Sequence, residues 1–185
     1  GFKVIELHFA HGYLVHEFLS PISNHREDEY GGNFENRILL ATTIASSVRE
    51  EIGNNIPLFA RLSVTEYFPG EGWDLKSSIK LSKNLKLLGI DLIDCSSGAN
   101  YSEQEIKLKP GYQVNLSQQI KNQADILTGA VGLITEPKHA DLILESKEAD
   151  AIFMAREYLR NPYWALYAEK NKESWPLQYQ RSIDL

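Results

Sequence analysis

Five short apolar runs, each followed by an amphipathic stretch, set the limits on how this chain can fold. The runs cover residues 4–8, 57–63, 91–97, 126–132 and 151–156, and each is rich in Ile, Leu, Val or Phe. Apolar runs of this length suit strands of a parallel sheet buried on both faces. The stretches between them read as helices. Residues 34–52 carry Ile38, Leu39, Ala41, Ile44, Ala45 and Val48 at helical spacing, and Gly53 follows as a stop. Asp74 can cap a helix holding Leu75, Ile79, Leu81, Leu85 and Leu88, with Gly89 just past its end. Further helices are predicted over 114–124, after a Thr135 cap with Pro137 in the first turn, and over 162–170.

Strand and helix alternate throughout, which argues for a parallel α/β architecture. A (β/α)₈ barrel needs eight strands and about 250 residues, whereas this chain offers five strands in 185 residues. It is therefore either a smaller open sheet or the back part of a barrel. One connection stands out. Residues 9–33 form a long polar segment with Pro21, Asn24, Asp28, Gly31 and Gly32, and loops that long in compact α/β domains are usually functional or disordered.

Composition excludes several function classes. The formal net charge is −6, so there is no broad electrostatic footprint for nucleic acid. No apolar run approaches the roughly 20 residues of a membrane span. The N-terminus has no basic segment followed by an apolar one, so no signal peptide is expected. The single cysteine, Cys95, permits no internal disulfide. That pattern fits a reducing cytoplasm.

Polar residues gather where the predicted strands end, the place where α/β active sites form. The first strand ends in His8, with His11 and Tyr13 just beyond; the second carries Arg61. The third ends in Cys95-Ser96-Ser97-Gly98, the fourth in a turn through Val131 and Gly132, and the fifth in Ala155-Arg156. A Gly-rich turn and an arginine at the last two strand ends suit an anion such as phosphate. Barrels often hold phosphate after strands seven and eight. If Gly132 ends strand seven and Arg156 ends strand eight, the first visible strand is strand four, and three strands are missing from the front.

Taken singly, His8 and His11 are more often structural than catalytic. Imidazoles also bind metals, but no carboxylate falls at ligand spacing within "HFAHGYLVH". No metal is therefore expected, and a histidine-based metallohydrolase is kept as an alternative. Arg61 inside an apolar strand requires a partner, either a carboxylate or a ligand. Cys95 reads as a small core residue.

Together, these stretches are specific. "HFAHGYLVHEFLSPISNHREDEYGG", "ENR", "LFARLS", "DLIDCSSG", "PGYQV", "TGAVGLI", "REYLRNP" and "QYQR" run in order along the chain. By them the chain resembles the C-terminal part of the Old Yellow Enzyme family of FMN-dependent ene-reductases, in its bacterial NADPH dehydrogenase branch. The resemblance implies a (β/α)₈ TIM barrel seen from about strand 4 to strand 8, as one partial domain over residues 1–185. It implies FMN and NAD(P)H as cofactors and a small enone or enal as substrate.

Site roles follow from the same likeness. His8 and His11 match the pair that hydrogen-bonds the substrate carbonyl, and Tyr13 matches the proton donor to the α-carbon. Arg61 matches the arginine beside flavin N1. Ser96, Val131, Gly132, Ala155 and Arg156 match positions around the ribityl phosphate. Ala155 stands where close relatives often have Gly, so a Cβ intrudes near the phosphate while the backbone N–H is kept. Arg181 matches an arginine that reaches a neighbouring subunit's site, which implies a homo-oligomer. The competing reading is a non-catalytic barrel fragment that needs the missing N-terminal part.

Overall fold

The structure is a computed structural model that describes residues 1–169 and 171–182. Among these residues, five strands form one parallel sheet: β1 (Ile5–Phe9), β2 (Leu58–Ser63), β3 (Leu92–Ser96), β4 (Leu127–Val131) and β5 (Ala151–Phe153). The helices are α1 (Leu14–Leu19), α2 (Phe34–Arg37), α3 (Leu39–Ile52), α4 (Leu75–Leu87), α5 (Val114–Ala124), α6 (Pro137–Glu145), α7 (Arg156–Arg160), α8 (Trp164–Ala168) and α9 (Leu177–Gln180). Among the described residues no helix is long and apolar enough to cross a membrane.

The strands lie in chain order, β1-β2-β3-β4-β5. A doubly wound sheet reverses its order at a switch point, and no reversal occurs here. Right-handed crossovers therefore put successive helices on one face. Leu58, Ala60, Leu62, Ile93 and Cys95 pack there against Ala41 and Ala45 of α3, Leu81 and Leu85 of α4 and Ile120 of α5. Each fully buried leucine contributes about 1.5–3 kcal/mol through burial. Val114, Ala130, Ile134, Ala140, Ile143, Ala149 and Trp164 form a second cluster under α5, α6 and α8.

The opposite face is concave. Side chains alternate along a strand, so Glu6 and His8, Phe59 and Arg61, Asp94 and Ser96, Gly129 and Val131, and Phe153 share it. Phe59 and Phe153 lie three strands apart, about 14 Å in a flat sheet, yet their ring centroids are 6.4 Å apart. Gly129 makes room between them, because a Cβ there would collide with the Phe153 ring. This curvature is that of a (β/α)₈ barrel, of which these strands are a portion.

An ion-pair motif repeats with the fold. Arg49 near the end of α3 pairs with Asp91 before β3, Lys86 of α4 with Asp125 before β4, and Lys121 of α5 with Asp150 before β5, each at 2.7 Å. Asp91 and Asp150 also accept the N–H groups of Leu58 and Thr128, at 2.8 and 2.9 Å. Each helix is thereby fastened to the start of the strand after next.

Several boundaries differ from the sequence expectation. The predicted 34–52 helix is two helices, α2 and α3, joined at Ile38. Asp74 caps α4 as expected, accepting the Ser77 N–H at 2.8 Å. Glu136 rather than Thr135 precedes α6, with Pro137 in the first turn and no side-chain cap. The long 9–33 segment holds α1, whose Val15 and Leu19 are buried in the core. The last strand stops at Phe153, and Arg156 opens α7. The predicted 162–170 helix is α8, with its last residue outside the described ones.

Candidate active site at the carboxyl ends of the strands

His8 stands on β1 with its side chain on the concave face, beside Arg61 in the β1–β2 register. The chain then turns through His11 and Gly12, at φ +60° and +71°, before α1 begins after Tyr13. A Cβ on Gly12 would strike the carbonyl oxygen of Ala99, so both the conformation and the space require glycine. The turn is tied down from three sides. The His11 N–H donates to Ser63 Oγ at 3.0 Å, and the His11 ring meets Ser96 Oγ through Nε2 at 2.6 Å. The Gly12 N–H donates to His16 Nδ1 at 3.0 Å. The His8 ring centroid lies 5.2 Å from that of His11 and 5.5 Å from that of Tyr13. Three of the expected groups are thus one cluster, with Tyr13 exposed at its rim.

Burial pushes the His11 imidazole down to about 4, reinforced by the charges of Arg61 and His8. His8 is lowered for the first two of these reasons. Both rings are therefore neutral near neutral pH, and each offers one N–H.

Arg61 finds the carboxylate that its place in an apolar strand demanded. Its Nε lies 3.3 Å from Asp94 Oδ2, across the register from it. The pair is incompletely bonded: Arg61 Nε and both Asp94 oxygens are buried with no hydrogen-bond partner among the described residues.

Beside Arg61 opens a cleft of about 250 Å³, with Ser96, Val131, Gly132, Ala155 and Arg156 in its wall. The structure thus brings together all six residues expected around a cofactor. Gly132 sits at φ +120°, where a Cβ would press on Tyr112 and Gln113. Gln113 is buried and donates from Nε2 to Val131 O at 2.9 Å, while its Oε1 accepts from Ser97 Oγ. Arg156 has no carboxylate within ion-pair distance among the described residues. A tight glycine turn, a guanidinium without an ion pair among the described residues and a half-satisfied one suit an elongated anion with a polar head.

Arg181 is apart from this group. It follows α9 as an exposed residue and does not line the cleft. Among the described residues no group of three His, Cys, Asp or Glu side chains is placed to hold a metal. His16 turns away from His8 and His11 toward Glu66, 3.8 Å off.

Comparison with known proteins decides the family. The model of the NADH:flavin oxidoreductase / NADH oxidase family matches residues 1–174. The chain belongs to that family. It is 49% identical over 185 residues to an NADPH dehydrogenase of Bacillus velezensis, covering 98% of this chain and 54% of the relative. An NADPH dehydrogenase of Halalkalibacterium halodurans is 50% identical, with the same coverage. The chain thus spans about half the length of the curated relatives it matches. Among solved structures, it superposes on an old yellow enzyme homologue from Zymomonas mobilis with a TM-score of 0.71 and 29% identity. That match covers 92% of this chain and 47% of the other. It also superposes on a 2-naphthoyl-CoA reductase complex with a TM-score of 0.81 and 26% identity, over 88% of this chain and 25% of the other. The likeness to the old yellow enzyme homologue agrees with the barrel curvature of the sheet.

Proposed function

We propose that this chain supplies the C-terminal βα units of an FMN-dependent NAD(P)H oxidoreductase that reduces the C=C bond of α,β-unsaturated carbonyl compounds. Three further βα units complete the barrel. The observation that carries the reading is the adjacency of the His8–His11–Tyr13 cluster, Arg61 and the Gly132–Arg156 cleft on one end of one sheet.

The cleft residues fit FMN. Arg156 and the turn at Gly132 would hold the phosphate, with Ser96, Val131 and Ala155 around the ribityl chain. Arg61, whose Nε lacks a hydrogen-bond partner, would face the polar edge of the ring system. When bound, FMN would supply the hydride chemistry, between NAD(P)H and the β-carbon of the alkene. His8 and His11 donate hydrogen bonds to the substrate carbonyl oxygen, which gains negative charge as hydride arrives. A well-placed donor of this kind is worth roughly 3–4 kcal/mol. Neutral rings suit the task, since they hold the oxygen without transferring a proton to it. If Ser96 donates to His11 Nε2, the His11 proton sits on Nδ1, free for the substrate. Tyr13 then protonates the α-carbon, and its exposed position lets solvent restore the proton. The sum is alkene, NAD(P)H and one proton giving saturated carbonyl and NAD(P)⁺.

The test is rapid kinetics of the two half-reactions in the complete protein. His8→Ala and His11→Ala are each expected to slow alkene reduction roughly 10²-fold while FMN stays bound. Tyr13→Phe is expected to slow alkene reduction by at least about 10²-fold and to spare flavin reduction by NADPH. Unchanged turnover in both histidine variants, or equal slowing of both half-reactions by Tyr13→Phe, contradicts the assignment.

A further inference from the structure

Asp94 is the most unusual side chain on the concave face. It belongs to β3, its side chain is wholly buried, and neither oxygen has a hydrogen-bond partner among the described residues. A buried carboxylate without donors is costly, and a neutral side chain would pack there without that cost. Its ion-pair partner is Arg61 Nε, 3.3 Å away on β2. Arg61 is about a quarter exposed, so it joins the buried carboxylate to the open cleft.

We propose that Asp94 is a positioning residue that holds the Arg61 guanidinium in the cleft and sets how much positive charge it presents to the cofactor. This rests on the reading of the cleft as an FMN site. With the carboxylate ionised, Arg61 and Asp94 form a nearly neutral pair. With it protonated, the guanidinium charge acts on the cleft undiminished.

Other groups tune the pair. Glu6 and His8 of β1 share the concave face beyond Arg61, while on β4 the residue opposite Asp94 is Gly129, which has no side chain. Burial pushes Asp94 up to about 7; Arg61 opposes that rise and Glu6 adds to it. Asp94 is thus poised to change charge near neutral pH.

Proton linkage follows. Hydride transfer from NAD(P)H puts two electrons and one proton on FMN, releases NAD(P)⁺ and leaves one more negative charge beside Arg61. A new negative charge favours the protonated form of a nearby carboxylate. Above about pH 7, Asp94 therefore takes one proton from water as FMN is reduced.

The midpoint potential of bound FMN, measured from about pH 5 to pH 9, tests this in the complete protein and in Asp94→Asn and Asp94→Glu. The expected potential of the unaltered protein falls with a steeper slope above neutrality, by one additional proton per two electrons. Asp94→Asn is expected to retain FMN, to lack the steeper limb and to lie at higher potential in alkaline solution. Asp94→Glu is expected to keep a break in the line. An Asp94→Asn protein whose bound FMN has an unmoved potential and the same pH dependence overturns the inference. So does one that loses FMN affinity alone, since that is what a merely structural residue would do. A complete protein that binds no FMN overturns the reading of the cleft as well.

Discussion

His16 is wholly buried: its Nδ1 accepts the Gly12 N–H, and its Nε2 faces Glu66. Glu66 in turn accepts from Ser20 Oγ, the Trp73 N–H and Asn100 Nδ2. One imidazole thus links the turn bearing His11 and Tyr13 to the loops that follow β2 and β3. Burial, then the charges of His11 and His8, push its pKa down to about 4. An unfolded histidine titrates near 6.5, so between about pH 6.5 and 4 the unfolded chain binds protons that the folded protein refuses. Stability therefore falls as pH drops through that window, by about 1.4 kcal/mol per pH unit for one such group. His11 acts in the same sense. Asp94, raised to about 7, acts oppositely, because the folded state is the first to bind that proton. His8, also lowered, joins the two histidines on the losing side and Glu6, raised by burial, joins Asp94, so three losses against two gains leave a net loss in acid. Urea unfolding at pH 6.5 and at about pH 4.5 should show it, and His16→Gln, which keeps an acceptor for Gly12, should remove about 2–3 kcal/mol of the difference. An equal acid loss in the variant contradicts the assignment. Nothing in the sequence marks His16 off from His8 or His11. Asp94 did carry a signal, a charge within an apolar run, the same signal that singled out Arg61.

At the scale of elements, the α3 attachment differs from the other two. Arg49 reaches Gly89 O through Nε and Nη2, Gly53 O and Ile56 O through Nη1, and Asp91 through Nη2, and its side chain is mostly buried. Lys86 holds Asp125 at the open surface. Arg49→Ala should therefore lower unfolding free energy by about 2–3 kcal/mol, since it strands several carbonyls. Lys86→Ala should cost about 1 kcal/mol or less. Denaturant midpoints of the two variants decide it; equal losses contradict the distinction. The five strands and α5 were legible because apolar runs and helical spacing report burial directly. The break at Ile38 was not, since Ile38 stays in an αR conformation and no Gly or Pro marks it. α1 was hidden by the polar residues around it, although Val15 and Leu19 at i, i+4 spacing carried its core face.

For the whole molecule, chain-order parallel strands with helices on one face leave a concave wall that only a barrel closes, and the family relatives extend to about twice this length. Sequence spacing placed the polar groups at one end of that wall. Their contacts were not legible: Gln113 spans Ser97 and Val131 across different βα units, and Phe153 reaches Phe59 only because the sheet curls. Such contacts depend on curvature, to which local patterning is blind. In the proposed enzyme the Arg61–Gly132–Arg156 cleft holds FMN. Titrating FMN fluorescence with the complete protein and with Arg156→Ala tests it most directly. One FMN per chain is expected, with an affinity about 10- to 100-fold weaker in the variant, the loss of one charge-assisted contact of about 1.5–3 kcal/mol. No binding by the complete protein, or equal affinity in the variant, would contradict it.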